Sequence, residues 1–432
     1  MPGEAYTLHT PSTATQLPAH WRWERLDRVC EGIFDCPHST PVLVQEGPYI
    51  ARSQDMRSGV LRTDEAGRVS EDTYVERIAR AEPRHGDLLY SREGTYFGIA
   101  AEVPQGVRVC LGQRMVLLRP NPAHVHFRFL RYWLNSPVMS LHMNGHRDGT
   151  VAERLNLPTI RGLPVALPPL PEQRAIAHIL GTLDDKIELN RRMNGTLEAM
   201  ARALFQSWFV DFDPVRAKCR GDRPVAPTWP QHILDFFPDR FEDSELGEIP
   251  AGWSVKTLGE LLELAYGKAM KADNRQHGTV PVYGSNGRIG WHNEKLVAGP
   301  GIVVGRKGNP GTVTWSPTDF FPIDTTFYVV PKGECRSLHF LFHALQTHDL
   351  ASLGADSAVP GLNRNLAYMD KQVVPSVRLL EKYDQHVCAV FERIHKSNEE
   401  SRTLAALRDT LLPKLISGEL RVPPLRRENG HV

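Results

Sequence analysis

The sequence contains no apolar run that approaches the ~18 residues needed to cross a membrane. Its beginning, MPGEAYTLHTPSTATQLPAHW, has neither the basic start nor the apolar centre of a secretory signal. We therefore expect a cytoplasmic protein with no membrane partner.

Cysteine is sparse, and charge of either sign is not in excess. The six cysteines (Cys30, Cys36, Cys110, Cys219, Cys335 and Cys388) are scattered, with no close pair spaced for zinc and no dense disulfide framework. They are expected to be reduced thiols, and no metal site is predicted. Lys and Arg number 51 against 50 Asp and Glu, so the net charge of +1 gives no global argument for a nucleic-acid partner. Any such argument must be local.

Motifs of several enzyme classes are missing. A DNA adenine methylase needs a glycine-rich cofactor loop and an Asn/Asp-Pro-Pro-aromatic strand end for the flipped base. The nearest string, Asn121-Pro122-Ala123-His124, indicates a turn. A translocase needs a Gly-x4-Gly-Lys-Ser/Thr phosphate loop, and Gly267-Lys268 has no glycine five positions upstream. We therefore predict no catalytic residue and no cofactor in this chain.

What the chain does contain is a repeat of itself. Residues 17–26 (LPAHWRWERL) and 249–258 (IPAGWSVKTL) are versions of one segment, in which Trp21 and Trp253 are expected to be core anchors. Later in each copy an apolar strand leads into a turn rich in Gly and Arg, GDLLYSREGTYFG at 86–98 and GPGIVVGRKGNPG at 299–311. Because 432 residues exceed what one core usually supports, two duplicated domains are predicted.

Each copy ends in a long segment with heptad spacing, polar near its middle and apolar at both ends. The predicted seam of the first helix consists of Ile176, Leu180, Leu183, Ile187, Leu197 and Leu204, with Asn190 and Asn194 between them. The predicted seam of the second consists of Val387, Phe391, Ile394, Leu404, Leu407, Leu411 and Leu415, with Asn398 and Ser401 between them.

The heptads leave two alternatives open, since such helices also dimerise chains or pack on sheets. Their recurrence in both halves favours an intramolecular, antiparallel pair. A helix over 172–210 would be roughly 58 Å long. Two of them make a rigid spacer suited to sites about one turn of B-DNA apart, ~34 Å.

We therefore predict an α+β fold with a pseudo-two-fold repeat and two mixed β/α domains separated by an antiparallel coiled coil. The predicted boundaries are a first domain at 1–165, a helix at 166–212, a linker at 213–245, a second domain at 246–378, a helix at 379–421 and a tail at 422–432. The linker carries several prolines and a basic cluster, and reads as a tether with local structure and no core.

Several ordered stretches resemble type I restriction enzyme specificity subunits. They are LPPLPEQRAIAHILGTLDDKIELNRRMNGTLEAMARALFQSWFVDF (167–212), LGEIPAGW (246–253), PVYGSNGRIGWHNE (281–294), GIVVGRKGNPGTV (301–313), FPIDTTFYV (321–329), GLNRN (361–365) and LRDTLLPKLISGEL (407–420). Two departures stand out. The second helix is preceded by VRLLEKYDQ (377–385) where the first has Pro-Pro-Leu-x-Glu-Gln, and the first domain has no clear counterpart of Tyr-Gly-Ser-Asn-Gly.

The resemblance implies two target-recognition domains, each reading half of an interrupted site in double-stranded DNA. It also implies that the helices dock two adenine-N6 methyltransferase subunits, with motor-nuclease restriction subunits outside them. S-adenosylmethionine, ATP and Mg²⁺ are then expected on those partner subunits.

Bases are read by Arg or Lys on guanine and by Asn or Gln on adenine, and glycine-rich turns allow close approach to the duplex. The candidate DNA-binding residues in the first domain are Arg92, Thr95, Tyr96, Arg147, Thr150, Arg154 and Asn156. In the second they are Tyr283, Ser285, Asn286, Arg288, Arg306, Lys307, Asn309, Asn363 and Arg364. For each residue an ordinary role competes, because Asn-Gly is a common hairpin turn and Gly-Arg-Lys-Gly is often a solvated loop.

Two other functions remain as alternatives. A fused restriction-methylation enzyme with a cryptic active site would transfer methyl groups as a purified chain. A scaffold without a DNA role would show no sequence preference in the assembled complex.

Overall fold

The computed structural model describes residues 10–11, 17–57, 59–94, 97–144, 155–219, 229–354 and 361–423. The chain divides into two compact units. Unit 1 comprises residues 1–188 and 401–432, and unit 2 comprises residues 189–400. Since two long helices cross these limits, each of them contributes one part to each unit.

Unit 1 is built on a six-stranded sheet with the strand order β2-β9-β6-β7-β5-β4. Two further pairs accompany it, the parallel pair β3-β8 and the antiparallel pair β1-β10. The strands are β1 (Arg22–Arg25), β2 (Cys30–Asp35), β3 (Val44–Ala51), β4 (Met56–Arg57), β5 (Val60–Leu61), β6 (Leu88–Ser91), β7 (Ala100–Glu102), β8 (Val109–Leu111), β9 (Met115–Pro120) and β10 (Pro164–Leu167).

The short helices of unit 1 begin where polar side chains satisfy their first backbone N–H groups. Ser70 caps α2, and Asn156 caps α5 by accepting a 2.8 Å hydrogen bond from the Thr159 backbone N–H. The helices are α1 (Leu26–Val29), α2 (Glu71–Ile78), α3 (Phe127–Leu134), α4 (Pro137–Asn144), α5 (Leu157–Arg161) and the long α6 (Leu170–Phe209).

The main core of unit 1 lies between the sheet, α3 and the start of α6. Trp133 of α3 is buried against it and donates a 2.7 Å hydrogen bond from its indole N–H to the Pro164 carbonyl. Leu180 of α6 joins this core, as do Leu415 and Ile416 from the end of the second long helix. The core of unit 1 is therefore completed by residues far away in the sequence.

Unit 2 has a four-stranded sheet of order β14-β20-β17-β18 and a three-stranded sheet of order β16-β15-β19. The antiparallel pairs β11-β12 and β13-β21 accompany them. The strands are β11 (Phe241–Ser244), β12 (Gly247–Pro250), β13 (Ser254–Thr257), β14 (Leu262–Tyr266), β15 (Val280–Gly284), β16 (Gly287–His292), β17 (Gly301–Gly305), β18 (Val313–Ser316), β19 (Phe321–Pro322), β20 (Thr326–Pro331) and β21 (Lys371–Val374).

The helices of unit 2 pack on one aromatic core. They are α7 (Asp213–Cys219), α8 (Gln231–Leu234), α9 (Leu258–Leu261), α10 (Leu338–Thr347), α11 (Arg364–Met369) and the long α12 (Val377–Ile416). Phe209 of α6 meets Phe340 of α10 and Tyr383 of α12, with ring centroids 5.2 and 5.0 Å apart. Such edge-to-face contacts add to the burial of large apolar surface.

Within each unit, α6 packs against α12. In unit 2, Asn190 contacts Glu400 while Phe205, further along α6, contacts Tyr383, so the two segments run antiparallel. In unit 1, Arg408 of α12 donates a 2.8 Å hydrogen bond to Asp184 of α6. The helices therefore pair within the chain, as the recurrence of the heptads favoured.

The predicted seam residues are buried or partly buried, apart from Leu407, which is 47% exposed. The fold class is confirmed, since an α+β architecture with a long helix between repeated halves is observed. The domain boundaries assigned from the sequence stay a prediction.

The tether interpretation of the linker is wrong in one respect. Val215, Ile233 and Phe237 are buried in the core of unit 2. The prolines interrupt the periodicity of this segment, but its separate apolar side chains still pack beside Trp208 and Trp253. Among the described residues, no helix is both long and apolar enough to span a bilayer.

Candidate nucleic-acid interface

Three turns of unit 2 that are far apart in the sequence are joined by hydrogen bonds, at strand ends of its two larger sheets. The backbone N–H groups of Arg306 and Lys307 donate to the Thr325 carbonyl at 2.9 and 3.1 Å. The Ser285 hydroxyl also donates to that carbonyl, at 2.8 Å, and to the carbonyl of Lys307. Leu362 N–H donates to the Arg306 carbonyl at 2.9 Å, which brings in the third turn. Three of the sequence-predicted segments, at Ser285, at Arg306–Lys307 and just before Asn363, are therefore neighbours in the structure.

Tyr266 is a neighbour of these segments that the sequence reasoning missed. It ends β14 and is 52% exposed. The Arg306 guanidinium carbon lies 4.8 Å from the centre of its ring, and that of Arg364 lies 4.9 Å away. The next residue, Gly267, approaches the backbone so closely that a Cβ would lie 2.1 Å from the Ile323 carbonyl oxygen. Two arginines and an aromatic face are thus held on a rigid strand end.

Both guanidinium groups are partly anchored by backbone. Arg306 Nη1 donates to the Asp324 carbonyl at 3.0 Å, and Arg364 Nη1 donates to the Leu264 carbonyl at 3.3 Å. Neither of them forms an ion pair within the part of the chain that the structure describes. Each keeps N–H donors and its full charge for a ligand, which suits phosphate oxygens or base edges.

The other candidates of unit 2 fall into several classes. Asn286, Arg288, Lys307 and Asn309 are exposed, and Arg288 lies over the Trp291 ring at 4.6 Å. Ser285 and Asn286 form the turn of the β15–β16 hairpin, between the paired residues Gly284 and Gly287, so Asn286 has an ordinary structural role in this turn. Tyr283 is buried, and Asn363 caps α11 with its side-chain oxygen.

In unit 1, Arg92 is held by a carboxylate. Its Nη1 lies 3.0 Å from Oδ1 of Asp35, and the two side chains are 16% and 18% exposed. Asn156 caps α5, as Asn363 caps α11. Thr95, Tyr96, Arg147, Thr150 and Arg154 lie outside the described residues. Contact between any of these residues and DNA stays a prediction.

The two arginine-bearing turns have matching backbone hydrogen bonds. In unit 1, Arg92 N–H donates to the Arg114 carbonyl at 3.1 Å, and Gly98 N–H donates to the Ser91 carbonyl at 2.7 Å. The Arg92 carbonyl accepts from Leu155 N–H at 2.8 Å. Unit 2 has three corresponding bonds, each 2.9 Å long and each from a backbone N–H to a backbone carbonyl. They run from Arg306 to Thr325, from Gly311 to Gly305 and from Leu362 to Arg306. The repeat therefore extends to the backbone of the candidate interface, with Arg92 and Arg306 as equivalents.

The first domain has no clear sequence counterpart of Tyr-Gly-Ser-Asn-Gly, but the structure shows which of its residues occupy the equivalent position. Strand β3 pairs in parallel with β8, as β15 does with β19. The Ala51 carbonyl accepts from Gly112 N–H, as the Tyr283 carbonyl accepts from Ile323 N–H. Arg52 and Ser53 therefore follow β3 where Gly284 and Ser285 follow Tyr283. Paired hydrogen bonds to Asp55 hold Arg52 and raise the pKa of its guanidinium.

These features define a class of protein. It is a duplicated protein in which each half carries an arginine on a turn at a strand end. The sequence model of the family described as type I restriction modification DNA specificity domain matches residues 44–199 and 250–392, more than half of the chain. The chain belongs to this family.

Curated relatives and a solved structure agree with that assignment. The chain is 25% identical over 409 residues to the type I restriction enzyme HindI specificity subunit of Haemophilus influenzae, covering 78% of this chain and 87% of that protein. It is 24% identical over 422 residues to the MjaIX specificity subunit of Methanocaldococcus jannaschii, covering 90% and 88%. The crystal structure of a type I restriction-modification S subunit from M. genitalium shares the fold, with a TM-score of 0.54, 18% identity and coverage of 94% and 99%.

Proposed function

We propose that each half of this chain reads one part of a bipartite, interrupted DNA site. The observation that carries the proposal is the occurrence of the arginine-bearing turn in both units, with three equivalent backbone hydrogen bonds around Arg92 and Arg306. A duplicated reading surface suits a ligand that presents two separate sequences. The exposed basic and amide side chains of unit 2 supply the donors that major-groove edges and phosphates accept.

We further propose that the paired helices set the spacer and dock two DNA adenine methyltransferase subunits. Each long helix has 40 residues, which corresponds to about 60 Å at ~1.5 Å per residue. In this proposal the chain itself is non-catalytic and acts in the cytoplasm. Motor-nuclease subunits join outside, and S-adenosylmethionine, ATP and Mg²⁺ belong to the partners.

The first test is reconstitution with a methyltransferase partner. The isolated chain is expected neither to methylate nor to cut DNA. Mixed with the partner, it is expected to direct adenine methylation to one split motif, read by methylation-sensitive sequencing of a random DNA library. Methyl transfer by the chain alone would support the fused-enzyme alternative, and methylation without sequence preference would support the scaffold.

The second test lengthens the helices. Four residues inserted after Asn194 in α6, with four inserted before Asn398 in α12, preserve the antiparallel pairing. They add ~6 Å and about a ninth of a turn beyond one revolution. The methylated motif is expected to gain a longer gap, or to be lost, with both half-site sequences unchanged. The control is a four-residue insertion at the exposed turn of Gly333, which is expected to keep the original gap. An active variant with lengthened helices and the old gap would show that the helices are not the ruler.

A further inference from the structure

The strand ends beside Arg306 and Arg92 are equivalent positions in the two repeats. Tyr266 of β14 is paired with Phe327, which is paired in turn with Val304, two residues before Arg306. Asp35 of β2 is paired with Val116, which is paired with Tyr90, two residues before Arg92. The same register therefore places Tyr266 beside Arg306 and Asp35 beside Arg92.

The two positions have opposite chemistry. In unit 2 the neighbour of the arginine is a neutral ring, whose face attracts a guanidinium without consuming its N–H donors. Arg306 and Arg364 lie on this ring, and no carboxylate among the described residues pairs with either. The strand end of unit 2 therefore presents positive charge and hydrogen-bond donors.

In unit 1 the neighbour is a carboxylate. Asp35 Oδ1 binds Arg92 at 3.0 Å, and Asp35 Oδ2 lies 3.1 Å from Nε2 of His38. The carboxylate cancels the charge of Arg92. Its Oδ1 also accepts a 3.1 Å hydrogen bond from the Cys36 backbone N–H, so Oδ2 is the oxygen with acceptor capacity left for a ligand. The corresponding strand end of unit 1 is thus nearly neutral and offers acceptors as well as donors.

We propose that the residue at this strand end, Tyr266 in unit 2 and Asp35 in unit 1, determines the base preference of its domain. Tyr266 leaves Arg306 a pure donor, which fits the O6 and N7 acceptors of guanine. Asp35 adds an acceptor, which fits the exocyclic amino group of cytosine or adenine. This inference rests on the proposed bipartite reading and names a further specificity-determining residue in each half.

The test exchanges the chemistry of the two positions. Tyr266→Asp supplies a carboxylate to Arg306. Asp35→Asn removes the negative charge that neutralises Arg92, with almost no change in shape, and leaves the guanidinium charged. Each variant is assembled with the methyltransferase partner and used to select binding sites from DNA with randomised half-sites, at two salt concentrations.

We expect Tyr266→Asp to lose preference at one position of one half-site, to bind the original site about 10-fold more weakly, and to lower the salt slope by about 1. Asp35→Asn is expected to change preference at one position of the other half-site and to raise the salt slope by about 1. Tyr266→Phe keeps the ring and is expected to retain the wild-type preference.

The matched control is Leu246→Asp, which adds the same charge to an exposed turn of the β11–β12 hairpin. It is expected to leave both half-sites unchanged. Wild-type preferences in both Tyr266→Asp and Asp35→Asn would overturn the inference, and the isosteric Asp35→Asn tests it even if Tyr266→Asp fails to fold. A wild-type complex that selects no split site would instead overturn the proposed function.

Discussion

Asn194 of α6 donates a 2.8 Å hydrogen bond to Oδ1 of Asn398 on α12. Asn194 is only 7% exposed, and one helical turn earlier Asn190 donates to Glu400 at 2.8 Å. Polar pairs in the middle of a seam that is apolar at both ends fix the register of two helices at some cost in stability. These contacts therefore fix the register of α6 against α12.

The coupling between these two asparagines can be measured. Asn398→Leu leaves the buried Asn194 amide without its partner, so we expect a loss of about 1–3 kcal/mol in the free energy of unfolding. The double change Asn194→Leu/Asn398→Leu is expected to be closer to wild type than either single change. A denaturant double-mutant cycle measures the interaction, and Thr196→Leu on the exposed side of α6 is the control. Strictly additive effects would show that the pair does not act together.

Asp184 and Asp185 are neighbours with different surroundings in unit 1. Asp184 accepts hydrogen bonds from Arg131, Tyr132 and Arg408 at 2.9, 2.6 and 2.8 Å, and Arg131 is buried. Asp185 is exposed and pairs with Arg128 at 2.8 Å.

Asp184→Asn is expected to lower the free energy of unfolding by about 1–3 kcal/mol, because the buried Arg131 guanidinium loses one of its two carboxylate partners and keeps only Glu102, 3.1 Å away. Asp185→Asn is expected to cost less than about 1 kcal/mol, because water already screens that pair. Chemical denaturation compares the two variants directly, and equal losses would contradict the assigned difference.

His343 makes unit 2 sensitive to acid. Desolvation by burial lowers its pKa from 6.5 to about 4. Between these values the unfolded chain binds a proton that the folded chain does not, so stability falls as pH falls through this window. The contribution lost between pH 6.5 and 5 is about 2 kcal/mol.

His343→Phe is expected to flatten the dependence of the denaturation midpoint on pH between 6.5 and 4. The exposed His277 provides the control, since His277→Phe removes an imidazole that lies outside the core. An unchanged slope in His343→Phe would show that this residue is not the group that titrates.

Arg306 and Lys307 are adjacent on one turn, and their contributions should differ. Arg306→Ala is expected to cost about 1–3 kcal/mol on the intact site and to relax preference at one position of one half-site. Lys307→Ala, which removes an exposed ammonium, is expected to weaken binding on all sequences and to make the salt dependence shallower. Site selection at two salt concentrations separates these outcomes. Wild-type behaviour in both variants would identify the turn as an ordinary solvated loop.

The features that could be predicted from the sequence are those encoded by short stretches of the chain. Heptad spacing indicated both long helices and the polar middle of their seam, and the Pro-Ala-x-Trp segments indicated the repeat. Trp21 and Trp253 are both buried, as expected of core anchors. The heptads repeat at short range within one helix, and the two Pro-Ala-x-Trp segments are recognised by direct comparison of their residues, so neither pattern requires knowledge of the fold.

What the sequence could not predict depends on register between distant strands. Tyr266 and Arg306 are 40 residues apart, and Asp35 and Arg92 are 57 apart, so neither pair forms a motif. A signal existed in Tyr266-Gly267-Lys268, an aromatic residue and a lysine around a glycine at the end of an apolar strand. This signal can be interpreted only once the paired strand β20 places Phe327 opposite Tyr266 and the Thr326 carbonyl against Gly267 N–H.

The buried Leu415 and Ile416 have a consequence for how the protein is synthesised. Unit 2 occupies the continuous stretch 189–400, so all of its residues have been translated before the last part of unit 1 emerges. The core around Trp133 and Leu180, in contrast, lacks the side chains of Leu415 and Ile416 until these residues have been synthesised. Unit 1, which begins to be translated first, is therefore the last unit to complete its core. A nascent chain halted near residue 400 exposes the apolar surface that Leu415 and Ile416 would cover, and such surface is a target for chaperones.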